Sequence, residues 1–263
     1  MRTTDVDTIA GWLDAAPRVL FITGAGISVE AGLPTYRGVS GLYESAETEE
    51  GLAIEVALSG PMFRRRPAVT WRHIAAIERA CRGAAPSPAH HLLARMQRRL
   101  PAAALLTQNV DGLHQAAGSA TIAIHGDVHQ LSCTECAWHR RVPDYASLEV
   151  PRSLGDTTVP RCPDCGAVIR PDAVLFGEML PAEPLARLER FVEGGVDLVF
   201  SIGTTSVFPY IAAPVRHVRA TGGHSVEINP GESEMSHAFD IRLRMGAGEA
   251  LAAVWTAWTG EAP

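Results

Sequence analysis

Four short polar runs and two Cys-x-x-Cys pairs are the parts of this 263-residue sequence that could do chemistry. Gly24-Ala-Gly-Ile-Ser28 follows an apolar stretch at 18–23, and Thr107-Gln-Asn-Val-Asp111 ends one at 103–107. His125-Gly126 follows residues 121–124, and Gly203-Thr-Thr-Ser206 follows 196–202. If the apolar stretches are strands of an open α/β sheet, ligands bind outside their carboxyl ends, and the four runs converge on one crevice. Taken singly, each has a plainer explanation, because Asn, Asp and Ser commonly cap helices and turns. A histidine with an ordinary pKa of about 6.5 is mostly neutral near pH 7 and suits a general base. Of the ten histidines, His125 is singled out by its place between a strand and a glycine. His90, His114 and His129 read as packing residues.

The glycine run is by itself a weak signal. Glycines let a backbone approach a pyrophosphate at a helix N-terminus. The dinucleotide fingerprint, however, needs a third glycine at position 29, where Val29 stands, and Gly32 comes three residues late. No acidic residue ends a clear second strand about 20 positions on. An ordinary dehydrogenase site is a poor fit, while a modified NAD site and a plain strand-to-helix turn both stay open.

Cys133-Thr-Glu-Cys136 and Cys162-Pro-Asp-Cys165 each resemble a zinc knuckle, and together they offer a closed Cys₄ shell with no open position for chemistry. Gly166 suits the turn after the second pair. A redox Cys-x-x-Cys is the competing reading. Cys81 stands alone on an apolar helix and reads as a small buried hydrophobe.

The elements that must position these groups alternate. Strands are expected at 18–23, 103–107, 121–124, 196–202, 225–228 and 241–245. Helices are expected at 4–15, 68–81, 89–98, 182–193, 209–220 and 248–257. That alternation predicts a parallel α/β sheet. Residues 34–65 and 131–170 break the rhythm and read as insertions. Hydrophobic residues make up 46% of the chain, enough for a sizeable core. The net charge of −6 argues against direct nucleic-acid binding. No run approaches the roughly 18 apolar residues of a membrane span. Asp5 and Asp7 stand where a signal peptide would be basic, so a cytoplasmic protein is expected.

Taken together, Gly24-Ala-Gly-Ile-Ser28, Pro34-Thr-Tyr-Arg-Gly38, Thr107-Gln-Asn-Val-Asp-Gly-Leu-His114, His125-Gly126, the four cysteines, Phe176-Gly-Glu178, Gly203-Thr-Thr-Ser206 and Ile228-Asn229 resemble the motifs of the sirtuin family, in its bacterial type. They follow the family's order and spacing from about residue 17 to 255. The resemblance implies a Rossmann-like NAD domain (1–33, 87–130 and 171–263) and a small domain. The small domain would comprise a helical insert at 34–86 and a zinc ribbon at 131–170. It implies NAD as co-substrate, structural Zn²⁺ on Cys133, Cys136, Cys162 and Cys165, and acyl-lysine proteins or peptides as substrates. Gly24, Ala25, Gly26, Gly203, Thr204 and Ser206 would bind phosphates, with Arg37 near them. Asn229 would hold the adenine-side ribose, and Tyr36, where phenylalanine is usual, would shield the reacting ribose. Gln108, Asn109 and Asp111 would line the nicotinamide and its ribose, and Ile27 would pack on the ring. His125 and Asn109 would be catalytic. Val174, Phe176, Gly177 and Glu178 would meet the substrate, with Gly177-Glu178 gripping its backbone by strand addition.

The implied reaction is NAD-dependent removal of acyl groups, acetyl by default, from protein lysines, releasing nicotinamide and O-acyl-ADP-ribose. An amide oxygen is a poor nucleophile, so it must be held against the glycosidic carbon with water excluded. A ribose hydroxyl then attacks, and that hydroxyl needs a base. Mono-ADP-ribosyltransfer or NAD hydrolysis on the same fold, and a non-catalytic NAD-sensing or zinc-ribbon module, are the rival readings. Family members that prefer succinyl or malonyl lysine resemble one another in a Tyr-x-x-Arg pair, and alignment on Pro67 and Trp71 places Ile74 and Ile77 there. A carboxylate beside two isoleucines would be buried unpaired, at a high desolvation cost. The plainer reading makes both isoleucines core residues at helical spacing. In a competition on one peptide sequence, acetyl is expected to be removed faster than succinyl; the reverse order would refute the assignment.

Overall fold

The computed structural model describes residues 3–16, 18–35, 48 and 51–263. The described strands are β1 (Arg18–Thr23), β2 (Ala102–Thr107), β3 (Thr121–Ala123), β4 (Gly126–Cys133), β5 (His139–Arg141), β6 (Ile169–Ala173), β7 (Leu198–Ile202), β8 (His224–Ile228) and β9 (Ile241–Leu243). Six of them form a parallel sheet in the order β3-β2-β1-β7-β8-β9. The expected strands all belong to it, some shortened by a residue or two at their ends. Strand β1 lies near the middle, and from Val19 onward every residue is buried. That is what an unbroken apolar run produces when both faces of a sheet are covered.

Alternate residues of β1 feed different layers. Val19 and Phe21 pack into a core with helices α1 (Thr3–Ala15), α5 (Pro88–Arg99) and α9 (Ala247–Thr259). Leu20 and Ile22 face the other way, toward Leu188 of α7 (Ala182–Glu193) and Ile211, Val215 and Val218 of α8 (Pro209–Ala220). The result is a three-layer sandwich in which apolar side chains on both faces of the sheet pack against its helices.

The segments that interrupt the alternation share a third core. Trp71, Ile74 and Ile77 of α4 (Pro67–Cys81) pack with Leu131, Tyr145, Val159, Cys162 and Ile169. Trp71 also donates its Nε1 hydrogen to the Ile169 carbonyl at 2.8 Å. The backbone here is a second, antiparallel sheet in the order β5-β4-β6. The sequence pattern had shown no strand at β4, for a physical reason. The register with β6 slips between Asp127 and Leu131, so the buried residues fall three apart, at Val128 and Leu131, and not two.

One close approach binds the layers at the large sheet's centre. The Gly26 amide donates to the Gly203 carbonyl at 2.8 Å, and the Gly24 amide to the Ile202 carbonyl at 3.0 Å. A Cβ added to Gly26 would sit 2.6 Å from the Gly203 Cα, and one added to Gly203 would sit 2.6 Å from the Ile27 nitrogen. The obstacles are backbone atoms, which have no rotamer to move to. Gly26→Ala is therefore expected to destabilise the protein by about 1–3 kcal/mol, the usual cost of overpacking. Its denaturant midpoint should fall, and NAD binding should weaken with it.

Candidate active site

The strand order reverses between β1 and β7, so the loops leaving their carboxyl ends part there and open a crevice. The loop after β1 is a short 3₁₀ helix, Ala25–Ala31, entered through Gly24. Ile27 and Ser28 on it are buried. Asn109, just past β2, donates from Nδ2 to the Gly24 carbonyl at 3.1 Å and to Ser28 Oγ at 3.2 Å. Ser28 Oγ donates in turn to Asp111 Oδ2 at 2.8 Å, and the Leu113 amide donates to Oδ1 at 3.0 Å. Burial pushes the Asp111 carboxyl up, and those two hydrogen bonds pull it partly back.

The loop after β7 is tied to the same cluster. Gln108 donates from Nε2 to Thr204 Oγ1 at 2.8 Å, and Asn229, after β8, donates from Nδ2 to the Thr204 carbonyl at 3.1 Å. The Ser206 amide donates to Thr204 Oγ1 at 3.2 Å. Among the described residues Ser206 is the one non-glycine with a positive φ, 55°. A buried serine held in the left-handed region marks a loop shaped by its surroundings. Thr204 is thus a hub that joins three strand ends. Gly24, Ala25, Gly26, Ile27, Gln108, Asn109, Asp111, Gly203, Thr204, Ser206 and Asn229 all stand at the carboxyl edge of one sheet. Tyr36 and Arg37 lie outside the described residues.

His125 sits at that edge too, between β3 and β4. Its Nδ1 lies 2.9 Å from the Gln108 carbonyl, which can only accept, so Nδ1 carries the hydrogen and Nε2 is left as an acceptor. Burial pushes its pKa below the ordinary histidine value, against a smaller upward pull from the Gln108 carbonyl. Its carbonyl accepts from the Val174 amide at 2.9 Å. Gly126 follows with φ 80°, and a Cβ there would lie 1.7 Å from the Asp172 carbonyl oxygen, so only glycine lets β6 close under the histidine. One contact had no sequence signal: the Tyr210 hydroxyl, from the first turn of α8, lies 2.6 Å from His125 Nε2.

The other histidines near the motifs are packed away. His114 Nε2 lies 3.0 Å from Thr23 Oγ1, and His90 Nδ1 lies 2.8 Å from Ser87 Oγ at the start of α5. Burial pushes His90 down to about 4 and His114 down to about 3, so both are neutral near pH 7.

Beyond β6, the segment that the motif match gives to the substrate is pinned from one side. The Phe176 amide donates to the Leu58 carbonyl at 2.9 Å, and the Gly60 amide donates to the Phe176 carbonyl at 3.0 Å. Arg170 makes a two-pronged pair with Glu178, both contacts at 2.8 Å, and the Leu175 amide donates to Glu178 Oε2 at 2.9 Å. Burial pushes the Glu178 carboxyl up, but Arg170 and the Leu175 amide outweigh it and leave the group below its usual range. The Glu178 carboxylate therefore anchors the segment inward. Met179 next to it is 92% exposed, an apolar side chain beside the crevice that the motifs did not single out. Ile74 and Ile77 are 3% and 7% exposed and belong to the third core.

The four paired cysteines meet as one cluster, with all sulfurs within 4.8 Å of one another. Cys133–Cys165, Cys136–Cys162 and Cys136–Cys165 are 3.4, 3.6 and 3.6 Å apart. A tetrahedral ion at about 2.3 Å from each sulfur sets sulfur–sulfur distances of about 3.8 Å, so the donor set fits zinc.

The Sir2 family model matches residues 24–209, from the first glycine of the β1 loop to the proline before Tyr210. This chain belongs to the Sir2 family. It is 46% identical over 246 residues to "NAD-dependent protein deacylase 2" of Pseudomonas syringae pv. tomato, covering 92% of this chain and 96% of that protein. It is 44% identical over 241 residues to the protein of the same name from Pseudomonas aeruginosa, covering 90% and 91%. A solved Sir2 homologue–NAD complex superposes with a TM-score of 0.81 at 32% identity, covering 99% of this chain and 95% of that one. A Sir2 mutant with deacetylated p53 peptide and 3′-O-acetyl ADP-ribose superposes at 0.83 and 28% identity, covering 95% and 97%. In this Sir2 family member, the Arg170–Glu178 pair predicts a double effect. Glu178→Ala removes three hydrogen bonds within the protein and leaves Arg170 without its carboxylate. The midpoint of thermal unfolding should therefore fall, by about 1.5–3 kcal/mol of stability. The freed segment should also raise KM for an acyl-lysine peptide, measured at a temperature where both proteins are folded.

Proposed function

We propose that this chain removes acyl groups, acetyl first among them, from protein lysines with NAD as co-substrate, releasing nicotinamide and O-acyl-ADP-ribose. One observation carries the reading: burial favours the neutral imidazole of His125, its hydrogen is fixed on Nδ1 by the Gln108 carbonyl, and Nε2 is left as the accepting nitrogen at the carboxyl edge of the sheet. NAD, when bound, supplies a glycosidic carbon with nicotinamide as leaving group.

The residues have separable tasks. The Gly24–Ser28 loop, Gly203, Thr204 and Ser206 hold the phosphates, and Asn229 holds the adenine-side ribose. Gln108, Asn109 and Asp111 orient the nicotinamide end, with Ile27 as an apolar wall that keeps water out. His125 takes the proton from the attacking ribose hydroxyl at Nε2. Val174, Phe176, Gly177 and Glu178 form the segment on which the peptide lies, the main chain of Gly177 doing the gripping while the Glu178 carboxylate braces it. Zinc on Cys133, Cys136, Cys162 and Cys165 closes the β4–β6 end of the small core and has no part in the chemistry. The isoleucines at 74 and 77 offer an acidic acyl group no cation at the two positions that the alignment compares. No helix among the described residues is long and apolar enough to cross a membrane. The acidic net charge disfavours nucleic acid as a partner.

With NAD and an acetyl-lysine peptide, nicotinamide and O-acetyl-ADP-ribose should form only when the peptide is present. His125→Ala should lower the rate about 10²- to 10⁴-fold, the usual worth of a general base. ADP-ribose attached to protein, or peptide-independent nicotinamide release, would point to transfer or hydrolysis instead. The pH profile follows from the sign of the shift. Only the neutral imidazole can accept a proton, and burial lowers its pKa. The kcat/KM of the free enzyme should therefore be flat across pH 7–8 and decline only below about 6.5, the ordinary histidine value. An acid limb above that value would contradict the buried, neutral base.

A further inference from the structure

If His125 is the base, Nε2 is the nitrogen that must receive the proton, because Nδ1 already donates to the Gln108 carbonyl. A neutral imidazole nitrogen offers a single lone pair. That lone pair is taken. The Tyr210 hydroxyl lies 2.6 Å away and can only be donating to it. Burial pushes the Tyr210 pKa up to about 12, so the phenol keeps its proton near neutral pH.

The contact is braced on both sides. Tyr210 follows Pro209, which opens α8 with its φ already fixed for a helix. The Tyr210 ring stacks on Phe208 with centroids 5.3 Å apart and planes 10° from parallel. The His125 ring stands edge-on to both, at 6.1 Å from Phe208 and 5.8 Å from Tyr210. Tyr210 also lies four residues beyond Ser206, where the loop that leaves β7 has entered α8.

We propose that Tyr210 is a positioning residue for the base: its hydroxyl caps His125 Nε2 in the unliganded protein and must surrender that lone pair to the ribose hydroxyl before a proton moves. The proposal rests on His125 acting as base. The ribose O–H gives its proton to Nε2, and Tyr210 keeps its own proton and turns to another acceptor, so no proton is gained or lost along the way. The cap holds the imidazole in the productive tautomer with its ring oriented. It also opposes the step from free enzyme to transition state, but not the step from the ternary complex, where the cap is already open.

Tyr210→Phe tests this, because it keeps the ring and the stack and removes only the hydroxyl. With acetyl-lysine peptide saturating and NAD varied, kcat/KM should rise about two- to tenfold, the worth of one neutral hydrogen bond, while kcat stays within about twofold. Equal tenfold losses in both parameters would mean that the hydroxyl itself relays the proton, and would overturn the proposal. So would an unchanged kcat/KM. Nitrogen-15 NMR reads the same contact without turnover. The His125 Nε2 resonance should differ between the unliganded wild type and Tyr210→Phe, and ADP-ribose with peptide should move the wild-type signal toward the variant's. Identical signals in the two unliganded proteins would overturn the proposal. Deacylation that survives His125→Ala would instead sink the base assignment itself, a result separate from anything Tyr210→Phe can show.

Discussion

The crossing of two backbones at the centre of the large sheet is the constraint on which the rest depends. Gly24 and Gly26 after β1 run against Gly203 after β7 with no side chain between them. The sheet reverses its strand order there, and the two loops are hydrogen-bonded to each other. Because the loops touch, Asn109 can reach the Gly24 carbonyl and Gln108 can reach Thr204, which brings β2 into the cluster. Asn229 brings in β8 through the Thr204 carbonyl. The crevice is therefore a set of strand ends cross-linked by side-chain amides and hydroxyls, with Thr204 common to several links.

The candidate base is held by different means. His125 lies between the last short strand on that side of the large sheet and the first strand of the small one. Its carbonyl accepts from Val174 and its Nδ1 donates to Gln108, so both sheets determine where the ring lies. The same β6 whose end supports His125 carries Arg170, which fixes Glu178 and so the segment beside the crevice. A change in the small core around Trp71 and Ile169 would thus be felt at the histidine and at this segment through one strand. The cysteine cluster closes the other end of that sheet, where Cys133 ends β4 and the donor set suits a structural zinc ion.

Much of the fold was legible because the large sheet's strands are buried on both faces. Burial on both faces leaves continuous apolar runs, and those runs located every strand of that sheet and the polar groups after them. The glycine run was read as room for a pyrophosphate, and the structure adds a second reason for its glycines, the packing of one loop on another. Val29, where the dinucleotide fingerprint wants glycine, is 50% exposed. The small sheet was illegible because β4 carries a register slip and buries residues three apart, a spacing that resembles neither a strand nor a helix. Ile74 and Ile77 show the limit of motif alignment. Their helical spacing suited either a pocket wall or a core, and the described packing places both in the core.

By itself, the sequence determined the parallel sheet and the four-cysteine cluster, and it singled out His125 among ten histidines as the candidate base. These follow from local pattern: apolar runs, fixed spacings, and a histidine between a strand and a glycine. Only the tertiary structure decided the hydrogen-bond partners that give those residues their state. The Gln108 carbonyl sets the tautomer of His125 from 17 positions away, Tyr210 takes its remaining lone pair from 85 positions away, and Ser28 meets Asp111 across 83. Such contacts leave no periodicity in the chain. They exist because the strands are packed side by side, and it is packing, not sequence separation, that determines which donor faces which acceptor.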